Sequence, residues 1–236
     1  MPRWPWPTPP RWPPCRTRWP RPTPPRFPRR ASPPTRPFST ASAPGAGQSI
    51  LIHGGSGGVG GFALQLAREL RLRVLATASP ANLTLVQELG ADTAIDYTGG
   101  EAAIAEAVRH ATQGLGVDVV LDAAGPPRAT EAFDLLAFGG ALVCVAGLPD
   151  FSKWKPFHKA CSVHEISLGA AYGPGGSPAA RAELGRLGAS VIGRLAAGRI
   201  SSLVTEVVPF EEIPQALGRL QRREVTGKIV ARGPGF

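Results

Sequence analysis

Acidic residues are absent from the first 48 positions of this 236-residue chain, which also lack lysine but hold nine arginines. The remaining positions carry 17 basic and 17 acidic side chains, so the formal charge of +9 comes from the first segment alone. Because the rest of the chain is neutral by this count, its composition disfavours nucleic acid as a partner.

Cysteine is scarce and long apolar runs are missing. Cys15, Cys144 and Cys161 are spaced for neither a disulfide framework nor a paired-cysteine zinc site, which favours a reducing compartment. No apolar run reaches the ~18 residues of a membrane span, so we expect no membrane partner. A cytoplasmic location follows, with a mitochondrial location as the alternative if residues 1–46 are a presequence.

Residues 1–46 form a segment rich in proline, arginine and tryptophan. Proline removes a backbone donor and keeps the preceding residue out of the helical region, so we expect low-complexity, disordered chain here. Three interpretations stay open: an arm that binds SH3-type domains or RNA, an organelle presequence, or a GC-rich gene translated from the wrong frame or start. All three exclude this segment from the fold.

From residue 47 onward, apolar strands alternate with amphipathic helices, which predicts a parallel sheet with crossover helices. We therefore predict a doubly wound α/β domain of the Rossmann type over 47–200. Its strands are predicted at 49–54, 73–78, 93–97, 117–125, 139–148 and 163–172, and its helices at 58–70, 81–89, 101–112, 128–136 and 178–197. Residues 201–236 add a strand at 203–210, a helix at 211–223 and a strand at 227–233.

A glycine motif, Gly55-x-Gly57-x-x-Gly60, lies between the first predicted strand and the first helix. In such motifs the first glycine allows a tight turn, the second lets a pyrophosphate approach the backbone, and the third lets helix and strand pack closely. The free N–H groups of the helix then attract the phosphates. This context predicts dinucleotide binding rather than a purely structural turn.

The end of the second strand indicates which dinucleotide is bound. An NAD site usually ends this strand in a carboxylate that binds the ribose 2′-hydroxyl, whereas this chain has Ala78, Ser79 and Pro80. No carboxylate is present to repel a 2′-phosphate, so the pattern favours NADP over NAD. Alternatively, Ser79 only caps the next helix.

Four stretches together resemble the medium-chain dehydrogenase/reductase superfamily, in its zinc-independent quinone oxidoreductase-like branch. They are ILIHGGSGGVGGFALQLA, ELGADTAIDY, GVDVVLDAAG and PFEEIPQALGRLQRREVTGKIVARG, and the resemblance covers residues 47–235. It implies NADPH as the cofactor, no zinc, and hydride transfer to a quinone, an enone or a related carbonyl substrate.

The resemblance also implies which residues hold the cofactor. Many quinone oxidoreductases place a lysine where this chain has Asn82, which removes one contact to the 2′-phosphate. The implied set is Gly55, Gly57, Gly58, Val59 and Gly60 at the pyrophosphate; Ser79, Tyr97 and Arg223 at the 2′-phosphate; and Ala146, Gly147, Leu148, Gly169 and Ala170 at the nicotinamide carboxamide.

Members of this family begin with a GroES-like catalytic domain, whose place is taken here by residues 1–46. We therefore expect residues 201–236 to be remnants of that missing domain, whose strands would be exposed edges if left unpaired. Three functional hypotheses follow. The chain is an oxidoreductase whose pocket is completed elsewhere, or a non-catalytic NADP(H)-binding or regulatory protein, or a protein whose N-terminal arm is the functional interaction segment. A homodimer through the sheet edge near the sixth strand is implied by the resemblance.

Other chemistry is disfavoured by spacing. His158, Cys161 and His164 have the residue types of a metal site, but a strand would separate their side chains and no fourth ligand completes a tetrahedron. A short-chain dehydrogenase needs lysine four residues after a tyrosine, and neither Tyr97 nor Tyr172 has one.

We interpret His53 and His110 as structural, since neither has an acid or nucleophile partner in the sequence pattern. Asp122 either caps a helix, orders a loop or contacts the ribose, and Trp154 either covers the sheet or lines the substrate side. No general acid, base or nucleophile is identified, which hydride transfer allows because the cofactor carries the hydride.

Overall fold

A computed structural model describes residues 46–222 and 224–233 of the chain, all within one compact unit. Strands and helices alternate along it. In chain order they are β1 (Ser49–His53), α1 (Gly58–Glu69), β2 (Arg73–Ala78), α2 (Leu83–Glu88), β3 (Thr93–Asp96), α3 (Gly100–Ala111), β4 (Val117–Asp122), α4 (Pro126–Leu135), β5 (Leu136–Cys144), β6 (Ser162–Glu165), α5 (Pro178–Ala196), β7 (Val204–Pro209), α6 (Ile213–Gln221) and β8 (Lys228–Arg232).

Six strands form one parallel sheet in the order β3-β2-β1-β4-β5-β6, which confirms the doubly wound fold. The chain runs outward from β1 to β3, then returns to place β4 on the other side of β1. This reversal leaves a crevice between the carboxyl ends of β1 and β4, where His53 pairs with Asp122. Open α/β sheets bind their ligands at such a crevice.

Helices cover both faces of this sheet, because the strands carry apolar side chains on both sides. On one face, Leu64 and Val86 from α1 and α2 pack against Ile52 and Val74. On the other, α3 and α4 pack against a second cluster that includes Leu51. The two clusters form the core that positions the loops at the carboxyl edge of the sheet.

The C-terminal elements are less buried. Helix α5 has 19 residues, none of them buried. The last two strands are not left unpaired, because β7 and β8 pair with each other in parallel, from Val204↔Lys228 to Pro209↔Arg232. Their amide and carbonyl groups thereby satisfy one another along one edge of each strand.

Several predicted boundaries also change. Strand β5 spans Leu136–Cys144, whereas the sequence predicted a strand at 139–148. It ends before the predicted boundary because Gly147, with φ +134, turns the chain away from the sheet. Strand β6 has only four residues, and its predicted second half, Leu168–Tyr172, is a 3-10 helix held by Ala170 N–H donating to Ser167 and Gly173 N–H donating to Ala170. Across the described ranges, no helix is long and apolar enough to cross a bilayer.

Candidate functional site

The glycine loop joins β1 to α1 through a left-handed turn. Gly54 has φ +77, a conformation that favours glycine, whereas Gly55 does not have a positive φ. The tight turn predicted for Gly55 therefore belongs to Gly54, which also accepts a 3.0 Å hydrogen bond from the Gly57 N–H. The sequence motif placed this role one residue too late.

Two other glycines of the loop allow close packing. A Cβ on Gly60 would lie 2.1 Å from the Gly54 carbonyl oxygen, so helix and turn can approach only if this residue is glycine. A Cβ on Gly55 would lie 3.1 Å from both Ala76 Cβ and Val86 Cγ1. Gly60 thus has the helix–strand packing role that its place in the motif predicts.

The N-terminus of α1 carries an uncompensated positive potential. Gly57 is its N-cap and supplies no side-chain hydrogen bond, and no acidic residue lies in the first turn. The first N–H groups of a helix have no intrahelical acceptor, and the helix dipole is positive at this end. Gly57 and Val59 are exposed, so an anion can approach these amides.

The crevice beneath the loop contains two fully buried polar residues, His53 and Asp122. Burial lowers the pKa of His53 to about 4, with the positive charge of Arg128 adding to the effect. Burial raises the pKa of Asp122, while hydrogen bonds from the amides of Ala124 and Gly125 act in the opposite direction. Asp122 therefore orders the loop between β4 and α4, in agreement with its structural interpretation.

Thr77 holds the glycine loop against β2 and was missed by sequence reasoning. Its hydroxyl accepts a 3.3 Å hydrogen bond from the Gly54 N–H and lies 3.3 Å from His53 Nδ1. Among the described residues, His53 Nε2 has no hydrogen-bond partner. The signal available in the sequence was a hydroxyl residue near the end of the strand RVLATA, which is otherwise apolar after Arg73. In the structure Thr77 is 3% exposed.

The predicted 2′-phosphate residues lie at the end of β2. Ser79 is the N-cap of a 3-10 turn over Pro80–Asn82, but its side chain makes no capping hydrogen bond to the backbone. Its hydroxyl instead accepts a 3.0 Å hydrogen bond from the side-chain amide nitrogen of Asn82. The side-chain oxygen Oδ1 of Asn82 accepts a 3.0 Å hydrogen bond from the hydroxyl of Thr226. The C-terminal segment therefore reaches the end of β2, a contact that spacing could not predict.

Tyr97 follows β3 and is partly buried against the core cluster of α3 and α4. The predicted carboxamide residues Ala146, Gly147 and Leu148 are exposed beyond the end of β5. A Cβ on Gly147 would lie 2.9 Å from Pro126 Cγ, so this turn passes over the start of α4. The glycine loop and this turn both lie at the carboxyl edge of the sheet.

The remaining predicted residues are placed differently. Gly169 and Ala170 lie on the exposed 3-10 helix after β6 rather than at the end of a long strand. Arg223 lies outside the described residues. The glycine loop and the turn over 79–82 both follow strands at the carboxyl edge of the sheet. The cofactor roles of all the residues named above, Arg223 included, stay predictions.

An apolar cavity of about 400 Å³ opens beside the end of β5, lined by Leu148, Phe151, Trp154, Val163 and Glu165. The ring of Trp154 packs edge-on against Phe133 with their centroids 4.9 Å apart, and Phe151 lies 6.3 Å from Trp154. Trp154 thus both covers the core and lines this cavity.

Metal ligation has no support in the described ranges. No three His, Cys, Asp or Glu side chains there come close enough to hold a metal ion. His164 lies 3.1 Å from the Ser162 hydroxyl, and its neighbours His158 and Cys161 do not complete a site. These residues do not fit a zinc ion.

Fold and loop together define a nucleotide-binding α/β domain. The family model of the zinc-binding dehydrogenases matches residues 58–184. The chain belongs to this family, within the medium-chain dehydrogenase/reductase superfamily, as its resemblance to quinone oxidoreductases predicted.

The relatives include oxidoreductases and larger synthases. Erythronolide synthase EryA2 of Saccharopolyspora erythraea is 34% identical over 189 residues, which make up 80% of this chain and 5% of that protein. The mitochondrial NAD(P)H oxidoreductase RTN4IP1 of Danio rerio is 29% identical over 198 residues, 78% of this chain and 49% of that one. This chain therefore spans about half of RTN4IP1.

Solved structures of the same superfamily superimpose on most of the chain. Mycobacterial Rv1454c complexed with NADPH has a TM-score of 0.68 at 26% identity, covering 80% of this chain and 58% of that one. CurK enoyl reductase has a TM-score of 0.66 at 26% identity, covering 80% and 56%. In both comparisons the shared part is less than two thirds of the relative.

Proposed function

We propose that the chain binds NADP(H) at the β1–α1 loop and forms the cofactor domain of an oxidoreductase acting on a quinone, an enone or a related carbonyl compound. The observation that carries this proposal is the uncapped N-terminus of α1 behind a glycine turn, with no acid in its first turn. A pyrophosphate is the anion that such a loop accommodates. The NADPH complex of the mycobacterial relative gives further support.

The end of β2 supports NADP over NAD. Ser79 and Asn82 supply neutral hydrogen-bonding groups where an NAD site would place a carboxylate. When bound, the cofactor would supply the hydride. The protein would hold the pyrophosphate at α1, accept the 2′-phosphate beside Ser79, and shield the reacting face with the apolar residues around Trp154.

A charge-introducing variant tests the cofactor assignment. We expect the full chain to bind NADPH more tightly than NADH, and Ser79→Asp to weaken NADPH binding at least tenfold by repelling the 2′-phosphate while leaving NADH binding intact. Ser177→Asp is the matched control, because Asp is an equally good N-cap for α5. Titration of cofactor fluorescence measures both affinities. Equal loss of both cofactors in Ser79→Asp would contradict the assignment.

Turnover separates the enzyme from a binding or regulatory protein. An oxidoreductase consumes NADPH when a quinone or enone is added, with one hydride and one proton added to the substrate for each NADPH oxidised. Tight NADPH binding without consumption across such substrates would support the non-catalytic alternative.

The relative RTN4IP1 is mitochondrial, which accords with a presequence in residues 1–46 of this chain.

A homodimer through the sheet edge is part of the proposal. It is supported by the position of β6, which pairs with β5 on one side and has its other edge open among the described strands. Exposed apolar side chains, Ile166 and Leu168, follow this edge. We expect sedimentation to show a dimer, which Val163→Pro would dissociate; a monomer at high concentration would contradict it.

A further inference from the structure

Thr77, near the end of β2, accepts hydrogen bonds from two consecutive amides of the glycine loop. The Gly54 N–H donates to the Thr77 hydroxyl at 3.3 Å, and the Gly55 N–H donates to the Thr77 carbonyl at 3.0 Å. The Gly57 N–H donates back to the Gly54 carbonyl at 3.0 Å. These three amides are therefore occupied within the chain. The amides over 58–60, which open α1 and have no intrahelical acceptor, remain for an anion.

The Thr77 hydroxyl also meets His53. Both residues lie one position beyond the Ile52↔Ala76 pair of the parallel strands β1 and β2. This placement sets Oγ1 of Thr77 3.3 Å from Nδ1 of His53. Thr77 is 3% exposed and His53 is fully buried, so water does not compete for either group.

The direction of this hydrogen bond follows from the other ring nitrogen of His53. Burial lowers the pKa of His53 to about 4, so the ring is neutral at pH 7 and carries a single N–H proton. If that proton were on Nδ1, both Nε2 and the threonine proton would lack a partner in the described part of the chain. With the proton on Nε2, the hydroxyl donates to Nδ1 and only the Nε2–H is unpaired. Because each buried unpaired group costs free energy, the second arrangement is favoured, and it leaves the hydroxyl oxygen to accept from Gly54.

We infer that Thr77 is a positioning residue for the cofactor: its hydroxyl, oriented by His53, holds the Gly54 amide so that the first amides of α1 face the phosphates. The inference rests on the proposed function, which places NADP(H) on this loop, and it assigns neither residue a direct contact with the cofactor. Valine has nearly the shape of threonine without the hydroxyl, so valine at position 77 would leave the Gly54 N–H and His53 Nδ1 unpaired. The bond from the Gly55 N–H to the carbonyl at position 77 would then be left to hold the loop against β2.

Two substitutions at Thr77 test the positioning role. NADPH and NADH share the pyrophosphate, so we expect Thr77→Val to weaken binding of both by the same factor, roughly three- to tenfold. Thr77→Ser keeps the hydroxyl and should retain most of the affinity. The full chain is titrated with each cofactor by fluorescence, and circular dichroism establishes that each variant is folded under the conditions of the titration.

Thr112→Val is the matched control. Thr112 is 7% exposed, and its hydroxyl likewise accepts a 3.0 Å hydrogen bond from a glycine amide, that of Gly116. It lies between the end of α3 and the start of β4, away from the carboxyl edge of the sheet. We expect Thr112→Val to lower stability about as much as Thr77→Val does and to leave both cofactor affinities unchanged.

The possible outcomes of the titrations are distinct. Unchanged affinities in Thr77→Val, or an equal loss in Thr112→Val, would overturn the positioning role. A loss for NADPH alone would place the effect at the 2′-phosphate, near Ser79, and would also overturn it. Failure of the unaltered chain to bind either cofactor would instead overturn the proposed function.

Hydrogen exchange follows the loop without any cofactor. We expect Thr77→Val to speed the exchange of the amides over 54–60 severalfold, and Thr112→Val to leave it unchanged. His53→Leu should also speed this exchange, but it should add little in a Thr77→Val background, because the hydroxyl that His53 orients is gone. Unaltered exchange in Thr77→Val, or additive effects of the two substitutions, would contradict the inference even if no cofactor binds.

Discussion

Helix α1 and helix α5 belong to two regions that bury very different amounts of side chain. Helix α1 has 12 residues and buries five of them, whereas the 19 residues of α5 include no buried one. The apolar side of α1 lies on the sheet, but Leu187 and Ile192 of α5 are more than half exposed. The first region, residues 49–144, thus contains a complete core, and the second, residues 162–232, is held by fewer contacts.

The difference shows where stability and function reside. The glycine loop and the end of β2 are anchored on strands with both faces covered. The C-terminal strands instead contact that loop from outside, through Lys228 at Gly58 and Thr226 at Asn82. The first region can therefore hold a site rigidly while the second adds side chains to it.

The largest contrast should appear on truncating leucine in the two regions. Leu51 is fully buried in β1, so Leu51→Ala should lower the free energy of unfolding by about 2–5 kcal/mol. Leu187→Ala on α5 should change it by less than about 0.5 kcal/mol, because the side chain is exposed. Chemical denaturation measures both, and equal losses would show that α5 is covered in solution.

The buried His53 should make stability depend on pH. Its pKa is lowered to about 4 in the folded chain, so the unfolded chain takes up a proton first as pH falls below about 6.5. The folded state should therefore lose up to about 3 kcal/mol between pH 6.5 and 4. His53→Leu should remove this loss, and replacement of the exposed His110 of α3 by Gln should not.

Asp122 should change stability with pH in the opposite direction from His53. Its raised pKa means that the folded chain keeps this proton to higher pH than the unfolded chain does. The Asp122 contribution therefore increases stability as pH falls through its folded pKa, and it should persist in His53→Leu. Denaturation series at several pH values separate the two, and an unchanged pH slope in His53→Leu would contradict the assignment to His53.

Replacing glycine by alanine should have opposite effects on stability in the two regions. Gly60→Ala places a Cβ 2.1 Å from the Gly54 carbonyl oxygen, so it should destabilise the fold by about 1–3 kcal/mol and abolish NADPH binding. Gly188→Ala, on α5, meets nothing within 4 Å and should stabilise by about 0.5–1 kcal/mol. Thermal melting and cofactor titration check both, and a destabilised Gly188→Ala would reveal a close neighbour of α5.

The smallest effect on the free energy of unfolding should come from an ion pair that links the two regions. Arg194 of α5 lies 2.7 Å from Glu69 at the end of α1. Because the pair is partly exposed, Arg194→Met should cost only about 0.2–1 kcal/mol, and less at high salt. Gln65 forms a second link through a 2.7 Å hydrogen bond from the Ser201 N–H. A large loss in Arg194→Met would show that the ion pair, rather than Gln65, fixes α5.

Local patterns predicted the first region well. Mainly apolar segments such as 117–122, interrupted only by Asp118 and Asp122, predicted buried parallel strands, and glycine spacing predicted the loop after β1. The length of strand β6 was overestimated, because apolar residues continue beyond it into the segment that forms an exposed 3-10 helix. Periodicity does not distinguish a strand from such a turn when few neighbours cover it.

The sequence alone determined the fold class, the family and the place of the glycine loop, because each depends on local apolar periodicity and on short motifs. Only the tertiary structure decided that Gly54 makes the turn, that β7 pairs with β8, and that Asn82 is bonded to Thr226, 144 positions away. It also placed Lys228 over Gly58. These features depend on how distant segments pack, and packing is set by the whole core rather than by the residues adjacent in sequence.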